Sequence, residues 1–245
     1  MHLRIAALCL LFVSAAWADQ ASTIARIHRD VIGGSTRIAE LSALRATGVI
    51  RIGSRTLRIG IVAQRPNRVR TVVQAEGSTA TQGYDGEHQP WQISSKANPP
   101  VPQLMDDSAA REFIADAEFD DPLVAPPERG YTLDYAGETE VDGRRMFRVL
   151  VTHRLTGPAE LLVDCETYFI VRRLWQRRQA KGREVPMEMR YADFRPVGGV
   201  ILPHRITVLA SGRPAHETVL EEVEANPIIS PFTFSLSAPA AAPKK

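Results

Sequence analysis

Gly48-Val49-Ile50-Arg51-Ile52-Gly53, Leu57-Arg58-Ile59-Gly60-Ile61 and Val69-Arg70-Thr71-Val72-Val73, closing on Gly83-Tyr84-Asp85-Gly86 and Trp91, decide the fold. Apolar and polar residues alternate with period two. Short breakers interrupt them: Gly53-Ser54-Arg55, Arg65-Pro66-Asn67 and Glu76-Gly77-Ser78. This pattern predicts antiparallel strands joined by hairpins, one face apolar and one wet. It returns from Tyr131 onward, with strands expected near 131–139, 144–153, 158–164, 167–178, 183–194, 200–210 and 214–225. Their turns carry residues that tolerate positive φ, such as Val141-Asp142-Gly143, Gly198-Gly199 and Ser211-Gly212-Arg213.

Helices interrupt the strands. Ile24, Ile27 and Val31 form one stripe of a leading helix that Gly33-Gly34 ends, and a short second helix covers about 35–41. Between Ser94 and Gly130 the alternation stops. Ala110, Phe113, Ile114 and Ala117 stripe a helix expected over 107–119, with Asp106 and Asp107 at its N-terminus. A long excursion with its own helix has the form of a lid or binding loop. It is acidic, with eleven carboxylates from Asp106 to Glu140 against Arg111 and Arg129, whereas residues 41–75 carry seven arginines and no acid. The two are expected to pack together. The arginines are read as a solvated face, or else as a seat for acidic headgroups or an acidic partner.

Formal charge is +2 in 245 residues, so nothing biases the chain toward nucleic acid. Arg4, the apolar run from Ile5 to Val13 and Ala16-Trp17-Ala18 predict a signal peptide over 1–18, its run too short to span a bilayer. One domain over 19–245 follows, the tail 238–245 being read as disordered. Cys9 falls in the leader behind Leu8, which argues against lipidation, and Cys165 then has no partner for an internal disulfide.

Tyr84-Asp85-Gly86 with Trp91, Val141-Asp142-Gly143, Asp164 with Thr167, the run Tyr191, Asp193-Phe194-Arg195, Val197-Gly198-Gly199-Val200 and Pro203, then Asn226 and Phe232, occur in that order. In that order, with the leading and mid-chain helices, the mature chain resembles the LolA-like superfamily, periplasmic carriers of outer-membrane lipoproteins. The resemblance implies a mainly β (α+β) fold: an open antiparallel β half-barrel with helices covering the concave face. It implies non-catalytic binding of lipid, acyl chains or lipoprotein in the periplasm, with an envelope membrane protein as a further partner. An alternative reading is an envelope regulatory or scaffold module whose groove its own helices fill.

On this reading the apolar groove is lined by Ile50, Ile52, Leu57, Ile59, Ile61, Val73, Trp91, Phe147, Val149, Val151, Leu161, Val163, Ile170, Met187, Met189, Ile206 and Val208. Each is either ligand contact or core beneath the helices. Met187 and Met189 suit an adaptable pocket, and Phe113 and Ile114 are the lid residues. Tyr84-Asp85-Gly86 is read as a turn and Asp193 with Arg195 as a local ion pair. No catalytic residue, metal site or cofactor is expected. His28, His88, His153, His204 and His216 lack metal-ligand spacing. Asp164 and Glu166 flank Cys165 and disfavour its thiolate.

Overall fold

The structure, a computed structural model, describes residues 20–97, 100–125, 127–153, 155, 157–178 and 182–236. The leader read in 1–18 and the tail 238–245 lie outside them. Strands β1 to β6 are Ala43–Ile52, Arg55–Gln64, Arg68–Ala75, Ser78–Tyr84, Trp91–Ser94 and Gln103–Leu104. Strands β7 to β13 are Thr132–Val141, Arg144–His153, Gly157–Asp164, Ile170–Arg178, Glu184–Val197, Val200–Ala210 and Arg213–Ala225. Helix α1 covers 20–31, α2 Gly34–Glu40 and α3 Asp107–Asp116. Among the described residues no helix is long and apolar enough to cross a membrane.

The thirteen strands make one antiparallel sheet in the order β6-β5-β4-β3-β2-β1-β13-β12-β11-β10-β9-β8-β7. It does not close, and it has the form of an open half-barrel. Two meanders meet at a seam, β1 against β13, from Leu44 opposite Ala225 to Arg51 opposite Glu217. Asn226 latches one end of that seam. Its Oδ1 accepts from the Ser42 and Ala43 amides at 2.8 and 3.2 Å, and its Nδ2 donates to the Glu40 carbonyl at 3.0 Å. The two free edges are β6 and β7, which are consecutive in sequence. Residues 105–131 therefore run from one edge to the other as a strap.

The helices pack on one face. The buried stripe of α1 is Ala21, Ile24, Ala25 and His28, continuing to Ile32, whereas Val31 is 38% exposed. The stripe is thus rotated from the Ile24-Ile27-Val31 set, because the alanines let α1 approach the sheet closely. Ile24 and Ala25 pack with Leu123 of the strap on Val149, Val151, Leu161, Val163 and Ile170. Ile32, Ile38 and Leu41 pack on Val200, with Phe119 and Val124 of the strap alongside. The amide of Ile201 donates to the Ile32 carbonyl at 2.7 Å, hooking the α1–α2 corner onto β12. At this close approach Gly33 sits at φ +147°, and a Cβ there would lie 2.6 Å from the Gly199 carbonyl oxygen.

Helix α3 starts as expected. The Asp106 carboxylate accepts from the Ser108 and Ala109 amides, both at 2.9 Å. It ends at Asp116, short of 119, because the following residues leave to make tertiary contacts. Ala117 packs with Val69 and Tyr84, and the Phe119 amide donates to the Pro66 carbonyl at 3.1 Å.

The two charged regions pair less than their composition suggests. Of the seven arginines only Arg65 forms an ion pair with the strap among the described residues, to Asp120. Arg65 also donates to the Leu41 and Ile38 carbonyls at 2.7 and 2.8 Å and lies over the Phe119 ring. Arg45, Arg51 and Arg58 instead pair with Glu224, Glu217 and Glu221 of β13 on the outer face. These exposed pairs contribute little stability individually.

Candidate functional site

Register carries one face across the whole sheet. Ile61 stands opposite Ala46, Ile59 opposite Gly48 and Leu57 opposite Ile50. Ile50 is opposite Thr218, which is opposite Ile206, which is opposite Tyr191. Tyr191 packs against the cluster beneath α1, so all of these side chains share the concave, helix-covered face.

That face has covered and uncovered parts. Under α1 lie Val149, Val151, Leu161, Val163 and Ile170, with Phe147 against them. Under the end of α3 lie Val69, Tyr84 and Ala117, with Ile61, Phe113 and Ile114. Met187 and Val208 are buried with Val185 in a further cluster, which Met189 and Trp175 adjoin. Ile50, Leu57, Ile59, Val73 and Ile206 belong to none of these clusters and are only half-buried. They form an apolar strip across β1–β3 and β12, interrupted on β13 by Thr218. Ile52, at the tip of β1, is 45% exposed.

The structure places Trp91 elsewhere. It is opposite Gly83, next to Tyr84, which faces inward, so Trp91 faces outward. Its ring lies on Gly83, where a Cβ would come within 2.4 Å of a ring carbon. Residues 227–236 cross the outer face and cover it. The Arg45 guanidinium donates to the Ile228 carbonyl at 2.9 Å, and Trp91 Nε1 donates to the Phe234 carbonyl at the same distance. A depression of about 360 Å³ also lies outside, where Arg58, Gly60, Val72 and Gln74 line it. Gly48 and Ile59 also border it, so it lies directly behind part of the concave strip, on the sheet's other face.

Polar groups hold the strap. His28 Nδ1 donates to the Tyr168 carbonyl at 2.7 Å, and Nε2 lies 3.1 Å from Asp121 Oδ2. Burial pushes the His28 pKa down, but the Asp121 carboxylate and the Tyr168 carbonyl outweigh it, so the net shift is upward. Both partners are acceptors, so the geometry favours a proton on each ring nitrogen. Glu118 pairs with Arg129 within the strap, and nearby Tyr131 is pushed up to about 12 by burial and then by Glu118.

Four concave residues escape the alternation rule. A register shift between Ile170 and Arg172 flips β10, so Arg173, Trp175 and Arg177 face inward with Met189, Met187 and Val185 opposite them. Arg173 lies 5.1 Å over the Trp175 ring. His216, opposite Val208, completes the group; burial and then Arg177 lower its pKa, favouring the neutral ring. The only signal in the sequence is the Arg-x-Trp-x-Arg spacing, which ordinary alternation assigns to solvent.

The turn residues behave as turns. Asp85 accepts from the Glu87 and His88 amides at 3.0 and 2.9 Å, and Asp164 from the Glu166 and Thr167 amides at 3.1 and 2.8 Å. Arg195 pairs with Asp193 at 2.6 Å. Cys165 is raised by burial and then by Glu138. Among the described residues no three His, Cys, Asp or Glu side chains converge as a metal site requires.

No family model matches the chain, and no curated protein sequence matches it. Solved structures do. An outer membrane lipoprotein-sorting protein domain from Vibrio parahaemolyticus aligns with a TM-score of 0.59 at 10% identity, covering 89% of this chain and 97% of that one. A DUF1329 family protein from Desulfovibrio piger gives 0.57 at 13% identity, covering 89% and 97%. A LolA superfamily protein from Nitrosomonas europaea gives 0.53 at 13% identity, covering 85% and 94%. With its open antiparallel sheet and helix-covered concave face, the chain has the fold of the LolA superfamily.

Proposed function

We propose that residues 19–245 form one periplasmic, non-catalytic domain that carries or binds lipid or a lipid-modified protein, with acyl chains on the concave face. The observation that carries this reading is the half-buried strip Ile50, Leu57, Ile59, Val73 and Ile206, left between clusters that the helices fill. Burial gains roughly 0.8 kcal/mol per methylene, so a strip of this length can seat a lipid tail even after the cost of ordering it. The strap is the lid. Helix α3 buries Ala110, while Phe113 and Ile114 stay half-buried, a light attachment that a guest competes with. The lipoprotein-sorting name of the Vibrio structure supports the cargo class. The leader read in residues 1–18 supports the compartment.

Native mass spectrometry of the mature protein, purified from an exported preparation without detergent, tests this. A bound mass that organic extraction identifies as lipid or acyl species supports carriage. A clean apo mass with no uptake of added fatty acid or lipopeptide refutes it and favours a second reading, an envelope scaffold that binds a partner protein on its surface. That reading draws on Ile228, Phe232 and Leu104, which are 96%, 73% and 57% exposed.

A further inference from the structure

Arg173 and Arg177 are the two cations on the inward face of β10, and both sit beside apolar groups. Trp175 lies between them, and Met187, Met189 and Val208 adjoin it. Placing guanidinium groups on an apolar face costs desolvation energy, and a fold retains them only with a counter-charge. Their counter-charges here come from α3. Arg177 Nε lies 3.1 Å from Glu112 Oε2, and Arg173 Nη1 lies 4.0 Å from Asp116 Oδ1.

Neither pair is well made. The 4.0 Å contact is at the limit of an ion pair, and the Asp116 side chain is 61% exposed. Arg177 Nε is buried yet has no hydrogen-bond partner, because Glu112 lies off its N–H direction. A buried guanidinium N–H that its neighbouring carboxylate does not hydrogen-bond is open to a better-placed anionic oxygen. The apolar strip of Ile206 and its neighbours begins on the same face, two strands away.

We propose that Arg173 and Arg177 are the anion seat of the concave face, and that Glu112 and Asp116 of α3 occupy it until an anionic amphiphile displaces them. The ligand class is an acyl chain carrying a carboxylate or phosphate head. The head pairs with the two guanidiniums while the chain lies along the strip. The lid then opens by exchange of one anion for another, so neither arginine is left bare during the swap. Charge, and not apolar area alone, sets which lipids enter.

This rests on the proposed lipid binding, and the test separates the two. Oleate, oleyl alcohol and 1-oleoyl lysophosphatidic acid are titrated calorimetrically below their aggregation concentrations into the mature protein, Arg173→Gln/Arg177→Gln and Glu112→Gln/Asp116→Asn. The wild type should prefer oleate to the alcohol by about tenfold, the worth of a charge-assisted hydrogen bond. The arginine variant should lose that preference while still binding the alcohol. The α3 variant, whose arginines are freed, should bind oleate more tightly. Preference for lysophosphatidic acid over oleate assigns the seat to a phosphate head, and the reverse assigns it to a free carboxylate. Equal binding of acid and alcohol by the wild type overturns the anion seat and leaves lipid binding standing. Binding of none of the three overturns both. Should the arginine variant fail to fold, an α3 variant with unchanged oleate affinity overturns the proposal by itself.

Discussion

His28 and Asp121 face each other across 3.1 Å, the first on α1 and the second on the strap. The pair joins the two helical covers of the concave face to one another. Because the His28 pKa is raised in the folded state, its contribution is complete below the unfolded value near 6.5 and is lost as pH rises through the folded pKa. Melting temperature should therefore fall as pH rises above about 6.5 in the wild type, and less so in His28→Gln. That variant should cost about 1–3 kcal/mol at pH 6. Equal pH slopes in the two proteins would refute the link.

The packed and open parts of the concave face should respond differently to substitution. Ile24→Ala and Leu161→Ala each remove a side chain that is 1% exposed and should cost about 2–5 kcal/mol in urea melts. Ile59→Asp or Val73→Asp, in the half-buried strip, should cost much less and should abolish uptake of a fluorescent fatty acid. Uptake that survives both aspartates would show that the strip is not the seat of the chain.

Phe113 and Ile114 join the strap to Val69 and Tyr84. Phe113→Ala should loosen α3 with little loss of global stability, since Phe113 is only half-buried. Stopped-flow measurement of fatty-acid uptake should show a rate increase of several-fold, following about 1 kcal/mol of lost lid contact. An unchanged rate would mean that α3 does not gate entry.

Trp91 and Phe234 predict a separation of stability from binding. Phe234 is 3% exposed and Trp91 is 5% exposed, both on the outer face. Phe234→Ala should cost about 3–5 kcal/mol and shift tryptophan emission to the red as Trp91 meets water. Affinity for lipid should not change, because the concave strip lies on the sheet's other side.

Much of this architecture was legible because strand alternation and turn chemistry are local. The seven strands from Tyr131 onward fall within a few residues of their expected bounds. What failed was non-local. The loop Asp85–Pro90 resets which face β5 presents, so Trp91 looked inward by composition and is outward by register. The shift after Ile170 hid Arg173 and Arg177. Asp193, at φ +56°, leaves the ladder without shifting its register, so Ala192 and Phe194 stay paired with Arg205 and Pro203. The strand therefore continues to Val197, past the expected 194. The arginines of β1 and β2 found glutamates on β13 because the first and last strands in sequence are neighbours in the sheet, a pairing that no window of sequence contains.

The same seam sets a clock for biosynthesis. β1 begins at Ala43 and its partner β13 ends at Ala225. At roughly 5–20 residues per second of chain synthesis, β1 waits on the order of ten seconds or more for that partner. Throughout that wait the β1 edge of the first meander is unpaired. The seam is the longest-range pairing in the sheet, so we expect it to form late in folding. A nascent or newly exported chain is most vulnerable to aggregation at β1, and a chaperone that masks that one strand would protect the whole sheet.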